Sequence, residues 1–315
     1  MADRVLITGA TGFVGSHIAE AFVAAGYTVR CGLRATSNPR WISSLPVEHT
    51  LLDFDRPADL LEALKGVEIV VHAAGITRAR YSQDYDRVNA EGTRRLAEAA
   101  REVGVERFVQ ISSLAARGPD GHDHPASAYG RSKLEAEKLL RDLDGPMQTV
   151  VLRPAAVYGP RDTDLLPLFK MASRGCLTLP AGPGSLQPVY AADVAKAVLA
   201  AADKPEGFGP FPLAERSSYS WREVAGKLEE ALGRPVRVAR LPTAGFRLAG
   251  RAAELAAKPF GSVPVFDERR AEDLTVHTWT CDPSITEREL DWRAGVPLSE
   301  GLARTARWYR EEGWL

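Results

Sequence analysis

Two periodicities take turns through the first half of the chain. Short runs rich in Val, Ile, Leu and Thr recur near Val5–Thr8, Thr28–Leu33, Glu48–Leu52, Ile69–His72, Phe108–Ser112 and Thr149–Arg153, and each predicts a strand. The stretches between them, "SHIAEAFVAAG", "ADLLEALKG", "VNAEGTRRLAEAAREVG" and "SKLEAEKLLRDL", space their apolar residues three and four apart, which lines one face of a helix. This alternation predicts an α/β protein with a doubly wound parallel sheet, because right-handed crossovers carry the helices to both faces. Beyond about Arg153 the pattern loosens and Pro and Gly accumulate, as in "GPRDTDLLP" and "LPAGPGSLQP", which predicts a smaller, mostly helical C-terminal lobe. The expected division is residues 1–160 for the sheet domain, with about 186–215 returning to it, and 161–315 mainly for the second lobe. Within that lobe "PTAGFRLAGRAAELAAKPFG" (Pro242–Gly261) reads as a helix that is apolar around most of its circumference, with three basic residues interspersed.

With 315 residues, 45% of them hydrophobic and 26% charged, the chain can bury a sizeable core. Its formal net charge of −1 gives the chain as a whole no electrostatic footprint for nucleic acid or an anionic membrane, leaving only local patches. The expected partners are a small-molecule substrate and other copies of the chain, with no nucleic acid. Every long apolar run is broken by charge before it reaches membrane-spanning length, so no span is expected. Cys31, Cys176 and Cys281 lie far apart with no CxxC pair, which argues against a disulfide framework and a thiolate zinc site. A reducing, cytoplasmic setting fits this usage. Met-Ala-Asp-Arg leads straight into the first strand, and no targeting segment is expected. His122 and His124 flank Asp123, but no third ligand stands nearby, so this reads as a polar loop at the substrate mouth and no metal is expected.

Gly9, Gly12 and Gly15 follow the first predicted strand and open the first predicted helix. Bare backbone at that junction permits a tight turn and lets N–H groups approach a pyrophosphate at a helix N-terminus. The GxxGxxG spacing is one residue looser than GxGxxG, and the competing reading is a turn that merely packs helix on strand. Further motifs accompany it: "HAAG" at His72–Gly75, "VNAEGT" at Val88–Thr93, "ISSLAARG" at Ile111–Gly118, "YGRSK" at Tyr129–Lys133, then "LRPAAVYGP" and "VYAADVAKAV". In order and spacing these resemble the extended short-chain dehydrogenase/reductase family, and the final "WRAGVPLSEGLARTARWYREEGW" is similar to that family's C-terminal segment. The resemblance covers nearly the whole chain and implies a Rossmann fold binding NAD or NADP.

Tyr129 and Lys133 are four apart in a helical segment and therefore stack on one face. A phenol with a pKa of about 10 is a poor base at neutral pH. A neighbouring ammonium and an oxidised nicotinamide would favour the phenolate. The resemblance implies that Tyr129 is the general acid/base, that Lys133 tunes it and holds the nicotinamide ribose, and that Ser113 orients the reacting oxygen while Ser112 points into the fold. It also implies that Asn89 completes the catalytic set, shaping the adjoining helix and holding a water near Lys133. The cofactor-binding set it implies is Gly9, Thr11, Gly12, Phe13, Val14, Gly15, Arg34, Asp53, Phe54, Ala73, Ala74, Gly75, Tyr129, Lys133, Pro154 and Val157. At the end of the second strand Leu33 stands where NAD-preferring folds carry an acid, and Arg34 follows. An arginine pairs with a 2′-phosphate, so NADP is favoured over NAD.

Leu114 and Ala115 follow Ser113, whereas the family's sugar dehydratases carry Asp-Glu there, so β-elimination lacks its acid and base. Gln187 and Pro188 stand where nucleotide-sugar members commonly carry an arginine, which disfavours sugar nucleotides. The helix in Pro242–Gly261 resembles one that walls an apolar cleft in 3β-hydroxysteroid dehydrogenase-like members; it reads first as a helix packed into the core of the second lobe, with a substrate or membrane contact as the alternative. The reading is hydride transfer between a nicotinamide cofactor and a secondary alcohol or ketone of apolar or sterol-like character. The alternatives are a nucleotide-sugar epimerase and a non-catalytic dinucleotide sensor. Family members often pair through the helices holding "VNAEGT" and "YGRSK", and a homodimer is expected on that ground.

Overall fold

The first apolar run forms β1 (Arg4–Thr8), whose Val5, Leu6 and Ile7 are wholly buried. The chain then runs through α1 (Phe13–Ala24), β2 (Thr28–Leu33), β3 (Glu48–Leu51), α2 (Pro57–Ala63), β4 (Ile69–His72) and α3 (Ser82–Tyr85). A π-helical turn at Asp86–Glu91 leads into α4 (Gly92–Glu102), followed by β5 (Arg107–Ile111), α5 (Leu114–Arg117), α6 (Ala128–Arg141) and β6 (Gln148–Pro154). This computed structural model describes residues 3–119, 121–181, 184–204, 207–257 and 279–315.

Seven strands form one sheet in the order Phe211–Leu213, β6, β5, β4, β1, β2, β3, and every pair is parallel. The order reverses between β1 and β4, so helices cover both faces. On one face Leu6, Val70 and Phe108 of the strands pack with Leu60 of α2, Leu96, Ala97 and Ala100 of α4 and Leu140 of α6. On the other, α1 lies against the helix Ala191–Asp203. These are the apolar stripes that the three- and four-residue spacing set out. The stripes of α4 and α6 face inward, and their outer positions are charged. Arg94 sits between Glu91 and Glu98, and Arg131, Glu135 and Lys138 are exposed. Pairing of two copies through these helices would be polar.

The contacts divide the chain into two units. The first holds residues 1–155, 191–213 and 282–294; the second holds 156–190, 214–281 and 295–315. Nothing in the sequence announces that 282–294 returns to the first unit. There Thr286 Oγ1 donates to the Pro212 carbonyl (2.6 Å) and the Trp292 indole donates to the Asp193 carbonyl (2.9 Å). The second unit contains the helices Leu166–Ser173, Trp221–Leu232, Thr243–Ala257 and Leu298–Glu311, with short two-stranded pairings. Its longest pairing is parallel, between Cys176–Pro180 and Arg237–Leu241. The expected helix in Pro242–Gly261 is present as Thr243–Ala257, and residues 258–261 lie outside the described residues. Among the described residues no helix is long and apolar enough to cross a membrane.

Candidate active site

At the end of β1 the three glycines divide their work. Gly9 has φ +72°, and a Cβ there would stand 2.7 Å from the Ala73 and Ala74 backbone, so β1 and the turn after β4 approach as only glycine allows. A Cβ at Gly15 would collide with the Gly9 carbonyl, which lets α1 sit tight on the turn. Internal packing therefore accounts for both. Gly12 is the N-cap of α1, in extended backbone, and its added Cβ would meet only the Gly9 carbonyl at 3.2 Å. The first turn of α1 has no side-chain cap and no acidic residue, leaving backbone N–H groups and the helix dipole to receive an anion. The turn thus fits a dinucleotide pyrophosphate. Thr11, Phe13 and Val14 are half-buried on it.

A chain of polar side chains ties that turn to the neighbouring strand ends. Thr93 Oγ1 gives its single proton to the Asn89 carbonyl (2.6 Å), so the His72 nitrogen facing it at 3.0 Å, Nε2, carries a proton and donates. Nδ1 is then the acceptor for the Thr8 hydroxyl at 2.7 Å, and Thr8 Oγ1 in turn accepts from the Ala74 N–H at 3.2 Å. One tautomer satisfies every member. Burial, followed by the charge of Lys133, pushes the His72 pKa down to about 3, so the ring is a neutral strut.

Asn89 lies in the π-helical turn and clamps the chain after "HAAG" from both sides: Oδ1 accepts from the Ile76 N–H (2.8 Å) and Nδ2 donates to the Ile76 carbonyl (3.0 Å). Nδ2 also donates to Ser132 Oγ (3.0 Å), whose hydroxyl donates to the Tyr129 carbonyl (2.8 Å). Asn89 therefore braces the first turn of α6. Lys133 is buried and Nζ donates to the Ile111 carbonyl at the end of β5 (2.9 Å). A Cβ at Gly75 would stand 3.0 Å from Asn89 Oδ1 and 3.3 Å from Lys133 Nζ, so both polar groups meet a bare backbone. Burial lowers the Lys133 pKa to about 8, against the opposing pull of Glu137.

Ser113 is the N-cap of α5, and its Oγ accepts from the Ala115 N–H (3.1 Å). α6 packs directly on this cap. A Cβ at Gly130 would collide with the Ala115 carbonyl and stand 3.0 Å from Pro125 Cβ. The glycine after Tyr129 thus lets the Tyr129 turn close on the Ser113 turn. The Tyr129 ring meets Tyr85 edge to face, with centroids 6.1 Å apart. The Tyr85 hydroxyl donates to the Thr77 carbonyl (3.3 Å) and accepts from the Ala79 N–H (3.1 Å).

Below this set lies a buried ion pair. Glu137, on the same face of α6 as Tyr129 and Lys133, receives Arg153 of β6 through Nε (2.9 and 3.2 Å) and Nη2 (2.6 Å). Ser112 turns inward and donates to the same carboxylate. Arg153 Nη1 reaches Asp123 (2.8 Å), whose φ of +57° marks a constrained loop. Asp123 is thereby engaged as an anchor for the loop ahead of Tyr129.

Arg34 is exposed just after β2, and its backbone forms a turn with Ser37. Asp53 is exposed and accepts from the Asp55 N–H (3.0 Å). Phe54 packs edge-on to His72 and against Gly92. The Ala73 N–H donates to the Thr8 carbonyl (3.2 Å), Pro154 ends β6, and Val157 belongs to the second unit. The first unit thus gathers Gly9, Gly15, Ala73, Ala74, Gly75, Asn89, Lys133, Tyr129 and Ser113 at linked strand ends. Gly130, Glu137, Arg153 and Tyr85 escaped the sequence reading. A charge inside "VVLRP", and an acid one helical turn beyond Lys133, were the signals for the ion pair.

Together with the family match and relatives that follow, this sheet and the glycine turn after its first strand belong to an NAD-dependent enzyme of the extended short-chain dehydrogenase/reductase type. The model of the NAD dependent epimerase/dehydratase family matches residues 5–211, and the chain belongs to that family. It is similar to the ceramide reductase of Caulobacter vibrioides, 33% identical over 99% of this chain and 96% of that protein. It is also similar to a ketoreductase of Stigmatella aurantiaca that acts on a farnesyl-substituted quinoline oxide, with 26% identity over 95% and 94% of the two chains. Among solved structures, the Thermus thermophilus UDP-glucose 4-epimerase in complex with NAD superposes with a TM-score of 0.77 at 25% identity, covering 98% of this chain and 99% of that one.

Proposed function

We propose that the protein is an NADP-preferring reductase of an apolar, lipid-like ketone, and in the reverse direction a dehydrogenase of the corresponding secondary alcohol. The observation that carries this reading is the bracing of Tyr129 beside the Ser113 cap, with Lys133 one turn along the same helix. When bound, the nicotinamide cofactor supplies the hydride. Tyr129 Oη gives its proton to the carbonyl oxygen. Ser113 Oγ already accepts from the Ala115 N–H, so its own proton is the group that holds that oxygen. The Lys133 ammonium favours the phenolate left on Tyr129, and a pKa near 8 places its charge change close to working pH. The full-length similarity to a ceramide reductase, together with a farnesyl-substrate ketoreductase, supports a long apolar ketone. Leu114 and Ala115 offer no acid or base for elimination. The Gln187 amide is occupied within the second unit, donating to the Glu215 and Cys281 carbonyls (2.7 and 2.9 Å) and accepting from the Cys281 N–H (2.7 Å), which argues against a role in holding a diphosphate.

The similarity to UDP-glucose 4-epimerases favours one second reading, in which the same residues return the hydride to the opposite face of a sugar. The deciding experiment offers NADPH with long-chain ketones, the ketone form of a ceramide among them, and follows nicotinamide absorbance, with UDP-glucose as the competing substrate. The proposal expects stoichiometric NADPH oxidation that disappears in Tyr129→Phe while NADPH affinity stays within about twofold. Epimerised UDP-glucose without net oxidation, or a Tyr129→Phe enzyme that keeps its rate, overturns it.

A further inference from the structure

Two side chains of one helical segment hold the stretch of chain that follows Gly75. Tyr85 ends α3, and Asn89 lies four residues on, in the π-helical turn Asp86–Glu91. Asn89 grips Ile76 through both its N–H and its carbonyl. The Tyr85 hydroxyl takes the residues just beyond, donating to the Thr77 carbonyl (3.3 Å) and accepting from the Ala79 N–H (3.1 Å). A phenol fastened to backbone at its tip, as well as at Cα, is a rigid surface for a neighbour to rest on. Both side chains then reach the first turn of α6. Asn89 acts on the main chain there, through Ser132 Oγ to the Tyr129 carbonyl (3.0 and 2.8 Å). Tyr85 acts on the side chain: the two rings stand at an interplanar angle of 62° with centroids 6.1 Å apart, inside the roughly 4.5–7 Å that edge-to-face pairs prefer.

We propose that Tyr85 is a positioning residue that sets the orientation of the Tyr129 ring. Hydrogen bonds to the main chain of a helical residue fix its Cα but leave its χ1 and χ2 to the side chain's own neighbours. Tyr129 is half-buried, and its hydroxyl stands at the far end of that lever, where a displacement of about 1 Å costs about a hundredfold in rate. Lys133 and Ser113 are each tied to backbone, by the Ile111 carbonyl and the Ala115 N–H. For the phenol between them, the fastened Tyr85 ring supplies the corresponding tie. The inference rests on the reading of Tyr129 as the group that moves the proton, which the reductase and epimerase readings share. Tyr85 itself is not required to touch substrate.

Three variants of the full-length protein test this. Tyr85→Leu and Tyr85→Met both remove the ring, with differently shaped replacements, and Tyr85→Phe keeps the ring while releasing it from Thr77 and Ala79. Kinetics are measured on whichever reaction the wild-type protein carries out, NADPH-dependent ketone reduction or UDP-glucose epimerisation, so failure of the reductase reading leaves the test standing. The expected result is a kcat at least tenfold lower in the leucine and methionine variants, with KM and cofactor affinity within about threefold, and a phenylalanine variant within about threefold of wild type throughout. A second readout needs neither cofactor nor substrate. In protein carrying ring-labelled carbon-13 tyrosine, the Tyr129 signal, identified by its absence from Tyr129→Phe, should shift in the leucine and methionine variants, where the neighbouring ring is gone. Circular dichroism confirms the fold of each variant. A leucine variant with kcat within twofold of wild type, a loss carried by KM, a phenylalanine variant as slow as the leucine variant, or a Tyr129 signal that does not move each overturns the proposal.

Discussion

Replacing Glu137 by Gln should be among the most destabilising single changes in the first unit. Glu137 is wholly buried and Arg153 is 4% exposed, so the pair exchanges three short contacts away from water. Removing one partner of a buried pair costs about 3–5 kcal/mol, because the remaining charge stays desolvated without its counter-ion. Arg153 would retain Asp123, which is about half exposed, so the expected loss is about 3 kcal/mol. Arg153→Met should cost a similar amount at pH 7, because it leaves the buried Glu137 carboxylate without its counter-ion. The double variant Glu137→Leu/Arg153→Met removes both charges at similar volume and should lie within about 2 kcal/mol of wild type, the remaining loss being the buried Ser112 hydroxyl left without its acceptor. Urea unfolding at pH 7, followed by circular dichroism and by tryptophan fluorescence to check that the transitions coincide, measures all four corners of the cycle. A Glu137→Gln loss under 1 kcal/mol, or a double variant that loses the sum of the singles, would refute the argument. Loss of the carboxylate also removes a charge that favours the Lys133 ammonium, so the pH above which the proposed ketone reduction fails should move down.

Gly130→Ala places a methyl against the Ala115 carbonyl, which must push α6 off the Ser113 cap; a tenfold or greater fall in kcat with little change in cofactor affinity is expected, and a rate within twofold of wild type would contradict it. His72 titrates near pH 3 in the folded protein and near 6.5 unfolded, so the unfolded chain binds more protons between those values and stability falls as pH drops through that window. From pH 7 to 5.5 the loss should be about 1.3 kcal/mol, and His72→Gln should flatten this slope; an unchanged slope would remove His72 as its cause. Arg34→Ala should weaken NADPH binding about tenfold more than NADH binding in fluorescence titrations, and equal losses would end the case for a 2′-phosphate contact.

The strand and helix periods, the glycine turn and the Tyr129–Lys133 spacing were legible because each is local: period two, period 3.6 and one helical turn are properties of neighbouring residues. The readings that needed structure involve partners distant in sequence. Thr8 and His72 are 64 positions apart, and Gln187 and Cys281 are 94 apart. Gly9 and Gly15 show the division within one motif, since their bareness was plain in sequence but its use was not: Gly9 packs β1 against the Ala73 backbone and Gly15 seats α1 on the Gly9 carbonyl.

By itself, then, the amino-acid order determined a doubly wound sheet and the turn that opens it, and it offered the side chains proposed here to bear its chemistry, because alternation and short spacings settle local geometry before the chain folds. Only the tertiary structure decided which nitrogen of His72 carries the proton, that Arg153 answers Glu137, that residues 282–294 rejoin the first unit and that Tyr85 meets Tyr129 edge to face. Those outcomes depend on burial, and burial is set by what the rest of the chain brings alongside.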